Sequence, residues 1–379
     1  MNTENNKQNN DEKLKDVYSY LSSVSDYRVI NRCRHKLSDI LFIGLVTVLS
    51  GGEDFEDMRL FGKTHLPFLK EFIDLPNGIP SSDTFSRVFS NLHPDLLRNC
   101  LSDYGKDIIS VLSEKQICLD GKKLKGVSPT SRGNKGLHIL NAWVAENNIC
   151  IGQERVDDKG NEITAIPTLI KKLDIEGAVV SIDAIGCQKE IAHQIIEQKG
   201  DYLLSLKANQ QALLDDVVCG FKACVAESVS DEWDYGHGRF ETRKCSILSA
   251  SKVLLPENIE QWGSLKTVIK VESTREIKGK KSSEVRYYIS SEQGQSAAYY
   301  NLLVRGHRSI ENQLHWHLDV TFREDKSRAR TGYAPENLST IRKFALQIIK
   351  AANDKLSVQK RIRKAAWDEK YLRKLITEF

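Results

Sequence analysis

Apolar side chains recur at spacings of three and four residues through the first part of the chain. The clearest such stretches are residues 40–49, 61–72 and 84–92. Turn-forming residues separate them at Gly51-Gly52, Pro76-Asn77-Gly78 and Ile79-Pro80. Because this spacing places the apolar side chains on one face of a helix, we predict an all-helical domain over residues 14–112. The polar residues 1–13 are predicted to form a disordered tail.

The pattern changes near residue 113, where short apolar runs are bounded by Gly, Asn and Asp. Predicted strands are 116–119, 137–144, 149–156, 178–182 and 202–206. Predicted helices are 162–173 and 187–198. This order of elements, βββαβαβ, indicates an α/β fold in which helices cover a mixed sheet.

A strand-rich segment then precedes a return of the helical pattern. Strand-like pieces are 244–248, 265–271 and 285–290, and the helical pattern resumes at about 302–318. We therefore predict a core over residues 113–345 that a β-rich insertion interrupts at about 210–300. A basic helical tail is predicted at 346–379.

Composition narrows the class of protein. Charged residues make up 28% and apolar residues 40% of the chain, a balance typical of globular proteins. The longest apolar run, 40–49, is about half of the ~20 residues that cross a bilayer, so we interpret it as a buried helix. Eight cysteines without a CxxC pair, and the lack of secretory-signal order, favour the cytoplasm. Cys219 and Cys224 lack the second ligand pair that a zinc site needs.

Positive charge is concentrated towards the end of the chain. The net charge is +4, but residues 322–379 hold fifteen Lys and Arg against seven Asp and Glu, a net +8, which leaves −4 for the rest. Such a basic segment can neutralise phosphates and release counterions, which is the sequence-independent part of DNA affinity. A solvated helical surface is the alternative interpretation.

Two aspartates directly follow apolar predicted strands. Asp120 comes after strand 116–119, and Asp183 comes after strand 178–182. Binding sites gather at the carboxyl ends of the strands of an open sheet, so we expect these carboxylates to face one another. Either aspartate alone is equally well explained as a turn residue, but the matching context favours a shared site.

A third carboxylate lies in the predicted helix after the insertion. Candidate ligands recur there every four residues: His307, Glu311 and His315. Helical geometry puts them on one face. Apolar residues follow the same spacing on the adjacent face and are predicted to pack on the sheet: Ile310, Leu314 and Leu318. This packing would hold Glu311 near the sheet edge.

Three convergent carboxylates repel one another unless a proton or a metal ion neutralises them. Hard oxygen ligands select Mg²⁺ or Mn²⁺, and two such ions ~3.5 to 4 Å apart suit phosphodiester chemistry. The sequence contains no P-loop, dinucleotide fingerprint, GxSxG or HExxH motif. Two alternatives stay open for His307 and His315: ligation of a transition metal together with Glu311, or a structural role.

At these residues the sequence resembles the H-repeat-associated protein family, a branch of the DDE insertion-sequence transposases, over roughly residues 14–375. The matching motifs are His35-Lys36-Leu37-Ser38-Asp39-Ile40, Asp120-Gly121-Lys122, Asn161-Glu162-Ile163-Thr164-Ala165-Ile166-Pro167, Asp183-Ala184-Ile185-Gly186-Cys187-Gln188, Lys207-Ala208-Asn209-Gln210, His237-Gly238-Arg239, Arg286-Tyr287-Tyr288-Ile289-Ser290-Ser291 and Ile310-Glu311-Asn312.

The resemblance implies a ribonuclease-H-like core with a β insertion before the glutamate helix. It also implies that Asp120, Asp183 and Glu311 form a catalytic, metal-binding triad for Mg²⁺ or Mn²⁺, as two ions. The chain departs from the wider group around this glutamate. Positions that often hold Tyr, Arg, an aromatic residue and Lys are here Val304, His307, Arg308 and Leu318.

Basic and polar residues near the predicted site are candidate DNA contacts. They are Lys122, Lys123, Lys125, Lys207, Asn209, Arg239, Arg243, His307, Arg308, Lys326, Arg328 and Arg330. Arg239 and Arg243 are equally well explained by a surface hairpin. Side chains of these types commonly bind phosphates.

The leading functional hypothesis is a DNA transposase that binds the terminal inverted repeats of an insertion sequence, cuts a strand and joins it to target DNA. Its partner would be double-stranded DNA, and a homodimer would bring two ends together. Two alternatives remain: a catalytically inactive, transposase-derived DNA-binding protein, and a metal-dependent nuclease without strand transfer.

Overall fold

A computed structural model of the chain describes residues 16–109, 112, 115–127, 136–156, 161–236 and 239–378. The predicted disordered tail, residues 1–13, lies outside these residues, as do His237 and Gly238 of one motif.

The first described part of the chain is helical, as the spacing of apolar residues predicts. Its helices are α1 (Val17–Ser22), α2 (Leu37–Leu49), α3 (Phe55–Thr64), α4 (Leu66–Leu69), α5 (Ser82–Asn91) and α6 (Pro94–Ile108). Helix α2 is buried along almost its whole length because α1, α3 and α5 surround it. Asp54 begins α3 with a capping box, in which its side chain accepts hydrogen bonds from the first-turn amides.

A single mixed sheet follows. Its first five strands are β1 (Gln116–Lys123), β2 (His138–Val144), β3 (Ile149–Val156), β4 (Val179–Ile182) and β5 (Asp201–Leu206). Two helices, α7 (Glu162–Ile170) and α8 (Lys189–Glu197), lie between β3 and β5 in the chain. Strands β1, β2 and β3 are antiparallel, while β4 and β5 run parallel to β1 in the spatial order β3-β2-β1-β4-β5. The predicted α/β class with a ribonuclease-H-like mixed sheet is confirmed.

The insertion extends this sheet instead of forming a separate one. Helix α9 (Gln211–Ala223) leads into β6 (Ser228–Gly236), β7 (Arg239–Ser249), α10 (Pro256–Glu260), β8 (Thr267–Ile277) and β9 (Lys280–Ser290). Strand β9 pairs with β5, and β8, β7 and β6 follow it outward. The insertion is β-rich as predicted, but α9 and β6 were missed. Strand β6 has no buried residue and is mostly polar, so it carries no apolar pattern.

The chain then crosses back over the sheet. Helix α11 (Ala297–His307) packs against β1, β6 and β7, and it continues into two π-helical segments, Glu311–His315 and His317–Thr321. The prediction of one regular helix over 302–318 is therefore wrong in its geometry, since widened turns replace the α-helix after residue 310. Such π-helical turns often mark functional sites.

Three helices complete the chain: α12 (Ala334–Ala351), α13 (Val358–Trp367) and α14 (Glu369–Thr377). Helix α12 is buried over most of its length because it packs against α2, α5 and α6 and also contacts β3. The apolar residues of the helical part, of α12 and of the π-helical segments share one core. No helix in the described part of the chain is long and apolar enough to span a membrane.

Candidate active site

Asp120 and Asp183 lie on adjacent parallel strands. The pairing of β1 with β4 ends at Leu119 and Ile182, and the next residue of each strand is the aspartate. Asp183 directly follows β4, as predicted. Asp120 does not end its strand: β1 continues to Lys123 because β2 pairs with it throughout, and Asp120 itself pairs with Asn141.

Glu311 begins the first π-helical segment, where its side chain is exposed. The apolar face beside it is buried as predicted, through Ile310, Leu314 and Leu318. Burial, together with repulsion from Glu162, Glu311 and Asp183, raises the pKa of Asp120 to about 7. The negative charges of these three side chains therefore converge on Asp120.

Glu162 is the member of this group that sequence reasoning missed. It begins α7, and its Oε1 lies 3.0 Å from His138 Nε2 on β2. A Cβ atom at Gly121 would stand 2.2 Å from Glu162 Oε1, so a larger residue there would displace this carboxylate from its place beside β1. The available signal was the Asn161-Glu162 motif, but a glutamate in the first turn of a helix is usually explained by the helix dipole.

His315 supports Asp120 from the π-helical segment. Its Nδ1 lies 3.5 Å from Asp120 Oδ2, and its Nε2 lies 3.3 Å from Asn141 Nδ2. Burial lowers the pKa of His315 to about 3, helped by the positive charges of Lys122 and Lys343, so the imidazole is neutral near pH 7. Since Asn141 Nδ2 can only donate, Nε2 accepts and the ring proton lies on Nδ1, towards Asp120.

His307 faces the sheet and not the solvent. Its Nδ1 lies 3.0 Å from Ser181 Oγ, which also accepts a 2.8 Å hydrogen bond from Gln116 Nε2. Burial lowers its pKa to about 4. His307 is therefore neutral near pH 7, which does not favour the predicted DNA contact of this residue. The structural alternative fits it better.

Val304 and Leu318 are both buried, and an apolar side chain suits a buried position. Val304 packs in the cluster between α11 and the insertion strands, and Leu318 packs in the core of the helical part. These two departures from the wider group are therefore packing residues in this chain.

Lys122 is paired with acidic side chains. Its side chain is only 6% exposed, and Nζ lies 2.5 Å from Asp319 Oδ1 and 3.1 Å from the fully buried Glu324. Burial lowers the pKa of Lys122, but Glu324 and Asp319 outweigh this effect, and the net direction is upward. Lys122 is a buried, internally paired cation, and these ion pairs do not favour the predicted contact with DNA.

The neighbouring basic residues differ in their availability. Lys123 is exposed, whereas Lys125 lies 3.3 Å from Asp325 Oδ2. Arg330 donates from Nε to the carbonyl oxygen of Gly126. Lys326 and Arg328 line the same 580 Å³ cleft as the acidic start of α3.

On the other side of Asp183, Lys207 is exposed and Asn209 donates a 2.8 Å hydrogen bond to the carbonyl oxygen of Ala184. Asn209 thus braces the turn that follows Asp183. The next residue, Gln210, donates in the same way to the carbonyl oxygen of Cys187.

The insertion presents a polar hollow of 370 Å³. Its arginines are Arg243, Arg275, Arg286 and Arg308. Burial lowers the pKa of Arg243, as do the positive charges of Arg305 and Arg308. Arg239 and Arg243 lie 3.2 and 3.5 Å from Glu241, while Arg308 has no ion pair with any described residue. Positive charge is therefore in excess here.

Among the described residues, no group of three or more His, Cys, Asp or Glu side chains is arranged to hold a metal ion as it stands. The two histidines have different partners: His307 lies against Ser181, whereas His315 lies between Asp120 and Asn141. What the site provides is convergent negative charge around Asp120.

Known proteins give a consistent match. Residues 18–105 match the family described as DDE_Tnp_1-associated, and residues 112–348 match the family described as Transposase DDE domain. The chain is 38% identical to "H repeat-associated putative transposase YhhI" of Escherichia coli K12, over 95% of this chain and 97% of that protein.

Two further relatives show the range of the group. "Putative transposase YncI" of Escherichia coli O157:H7 is 34% identical, over 96% of this chain and 95% of its own length. "Inactive transposase YbfQ" of Escherichia coli K12 is 47% identical over 78 residues, which are 21% of this chain. The resemblance to the H-repeat-associated proteins is confirmed, and the chain belongs to the Transposase DDE domain family.

Proposed function

We propose that the chain is an active DNA transposase that holds Mg²⁺ or Mn²⁺, as two ions, with Asp120, Asp183 and Glu311. The observation that carries the proposal is the placement of Asp120 and Asp183 one residue past the last register pair of β1 and β4, with Glu162 and Glu311 close enough to help raise the pKa of Asp120. A divalent cation bound in such a site would relieve the repulsion between these carboxylates.

The donor set fits such an ion. Carboxylate oxygens are the ligands that Mg²⁺ and Mn²⁺ prefer, and Asp120 and Asp183 come from neighbouring strands. Asn141, which pairs with Asp120 across the sheet, has a buried Oδ1 without a hydrogen-bond partner among the described residues. That oxygen is a further hard acceptor at the site.

The residues of the chain divide the work. Bound ions supply a Lewis acid and an activated water for phosphodiester chemistry. His315 lies beside Asp120, with Nδ1 3.5 Å from Oδ2, while Asn209 braces the turn after Asp183. The packing of Ile310 and Leu314 keeps Glu311 at the open edge of the site. The Lys122 network ties β1 to the segment that follows the π-helix.

We propose DNA contacts for basic residues that are exposed or that lie where basic side chains outnumber acidic ones. These are Lys123, Lys125, Lys207, Arg239, Arg243, Arg308, Lys326, Arg328 and Arg330. The substrate would be double-stranded DNA at the ends of the mobile element, with strand transfer to target DNA in the cytoplasm and two copies of the chain holding two ends.

The test is cleavage of a duplex that carries the DNA flanking the coding sequence, with each strand labelled. In Mg²⁺, wild-type protein should cut at the element end and leave a 3′-OH. Asp120→Asn, Asp183→Asn and Glu311→Gln should lower the rate about 100-fold or more and retain DNA binding, because several kcal/mol of charge stabilisation is lost. Asp83→Asn, on an exposed part of α5, is the matched control.

The same assay separates the alternatives. Cleavage without joining to a second duplex would identify a nuclease. Binding without cleavage by wild-type protein would identify an inactive descendant, as the name of one relative describes for that protein.

A further inference from the structure

A wide cleft lies in the helical part of the chain, away from the carboxylates. It measures 950 Å³ and is formed by the loop before α2, the turn before α5 and α5 itself. Its lining residues are Tyr27, Arg28, Arg32, Cys33, Arg34, His35, Asn77, Ile79, Ser81, Thr84, Arg87, Val88 and Asn91. Four arginines and a histidine are present, and no carboxylate lines the cleft.

Internal hydrogen bonds hold the loop in place. Arg28 forms an ion pair of 2.8 Å with Asp26 and donates a 3.0 Å hydrogen bond to the carbonyl oxygen of His35. Asn77 donates a 2.7 Å hydrogen bond to the carbonyl oxygen of Arg34. Arg28 and Asn77 therefore hold the loop in this conformation. The other cationic side chains of the cleft extend from an ordered surface.

Three exposed arginines of the cleft have no acidic partner. Arg32 and Arg34 project from the loop and Arg87 from α5, and none forms an ion pair with any described residue. Some other exposed arginines do form ion pairs, as in Arg323 with Glu53 and Arg373 with Glu71. The cleft therefore keeps uncompensated positive charge on both walls.

Apolar side chains are exposed beside these cations. Val29 is 64% exposed and Ile30 is 73% exposed, both in the same loop. The amide nitrogens of Asn77 and Asn91 already donate to the carbonyl oxygens of Arg34 and Arg87. Phosphates bind arginines, and apolar side chains contact sugars and thymine methyl groups. An acidic peptide would use the arginines but would not need this combination.

We propose that this cleft is a second DNA-binding site, which holds double-stranded DNA away from the carboxylates. Arg32, Arg34 and Arg87 bind backbone phosphates, while the apolar residues of the loop contact the groove. The proposal depends on the proposed function only for the source of the duplex, namely the element ends.

The test measures binding of full-length protein to a fluorescein-labelled 30-base-pair duplex taken from the DNA flanking the coding sequence, in EDTA so that no cleavage occurs. Arg32→Ala/Arg34→Ala/Arg87→Ala should weaken binding at least ~10-fold and lower the slope of log affinity against log salt by up to about 3, since each lost phosphate contact contributes ~0.9. The control Lys63→Ala/Lys70→Ala/Lys106→Ala removes equal charge from exposed positions outside the cleft.

Equal affinity and salt slope for the two triple variants would overturn the proposal, as would tighter binding of a duplex RNA of the same sequence. Retained binding by Asp120→Asn supports it. Its failure is distinguishable from that of the proposed function, because cleavage in Mg²⁺ depends on the carboxylates and binding in EDTA does not.

Discussion

Asp120 and Asp183 occupy neighbouring positions on two parallel strands, one residue beyond the register pair Leu119 and Ile182. Asp120 is partly buried, with 21% of its side chain exposed, and Asp183 is exposed. One carboxylate is therefore mostly covered and the other is open to solvent, an arrangement that suits an ion bound between protein and substrate.

The first prediction concerns the metal ion itself. Adding Mg²⁺ or Mn²⁺ at pH 8 should raise the Tm of the wild-type protein, because an ion that binds only the folded state stabilises it by about 2.7 kcal/mol at a hundred times its Kd. Differential scanning fluorimetry measures this shift, and EDTA should reverse it. Asp120→Asn should show little shift, and an equal shift in that variant would contradict the assignment.

The second prediction concerns Lys122. Lys122→Met should lower the free energy of unfolding by about 3 to 5 kcal/mol, because it leaves the buried Glu324 without its main cation. Lys123→Met, at the exposed next position, should change it by less than about 0.5 kcal/mol. Urea denaturation provides the measurement. If Lys122→Met were as stable as the wild-type protein but bound DNA more weakly, the result would support a DNA contact by Lys122 and contradict this prediction.

The third prediction separates Asn209 from Lys207. Asn209→Ala removes the hydrogen bond to the Ala184 carbonyl and frees the turn after Asp183, so the Mg²⁺ concentration for half-maximal cleavage should rise about 10-fold. Lys207→Ala should leave that concentration unchanged and weaken DNA binding instead. Mg²⁺ titrations of cleavage, with DNA affinity measured in parallel, distinguish the two roles. The reverse pattern would contradict both assignments.

The fourth prediction is a pH dependence away from the site. Burial raises the pKa of Glu292 to about 7, although Tyr299 donates a 2.8 Å hydrogen bond to it. The folded state then binds a proton more tightly than the unfolded state, so this group lowers stability as pH rises from about 4.5 through 7.

Glu292→Gln should therefore leave stability unchanged at pH 4 and raise it by about 1 to 2 kcal/mol at pH 8. Denaturation at both pH values tests this. Glu284→Gln is the control. Arg286 lowers the pKa of Glu284, so removing the Glu284 carboxylate should not stabilise the protein at pH 8. A gain of equal size at pH 4 would rule out titration as the cause.

The sequence predicted the strands that carry the site because they are buried on both faces and therefore continuously apolar. Strand β4 is buried at all four positions, and Asp183 marks its end clearly. Strand β1 was predicted too short because Asp120, Gly121 and Lys122 are polar or small, yet pairing with β2 continues the strand through them.

Partners distant in sequence explain what the sequence did not reveal. Lys122 resembled a phosphate ligand because Glu324, about two hundred residues away, is brought to it only by the fold. In the sequence, Glu162 looks like an ordinary acidic residue in the first turn of a helix. The structure places its carboxylate beside Gly121 of β1, which has no side chain to occupy that space. The π-helical turns at Glu311 were likewise not predicted, since the apolar spacing of Ile310, Leu314 and Leu318 fits an α-helix.

The most direct test of the central claim is a switch of metal specificity. Asp120→Cys and Asp183→Cys should each cut the labelled duplex at below about 1% of the wild-type rate in Mg²⁺ and recover at least ~10-fold in Mn²⁺, because a thiolate accepts Mn²⁺ more readily than Mg²⁺. Asp83→Cys should cut like wild type in both. Wild-type cleavage by either site variant in Mg²⁺ would contradict the assignment of these aspartates as metal ligands.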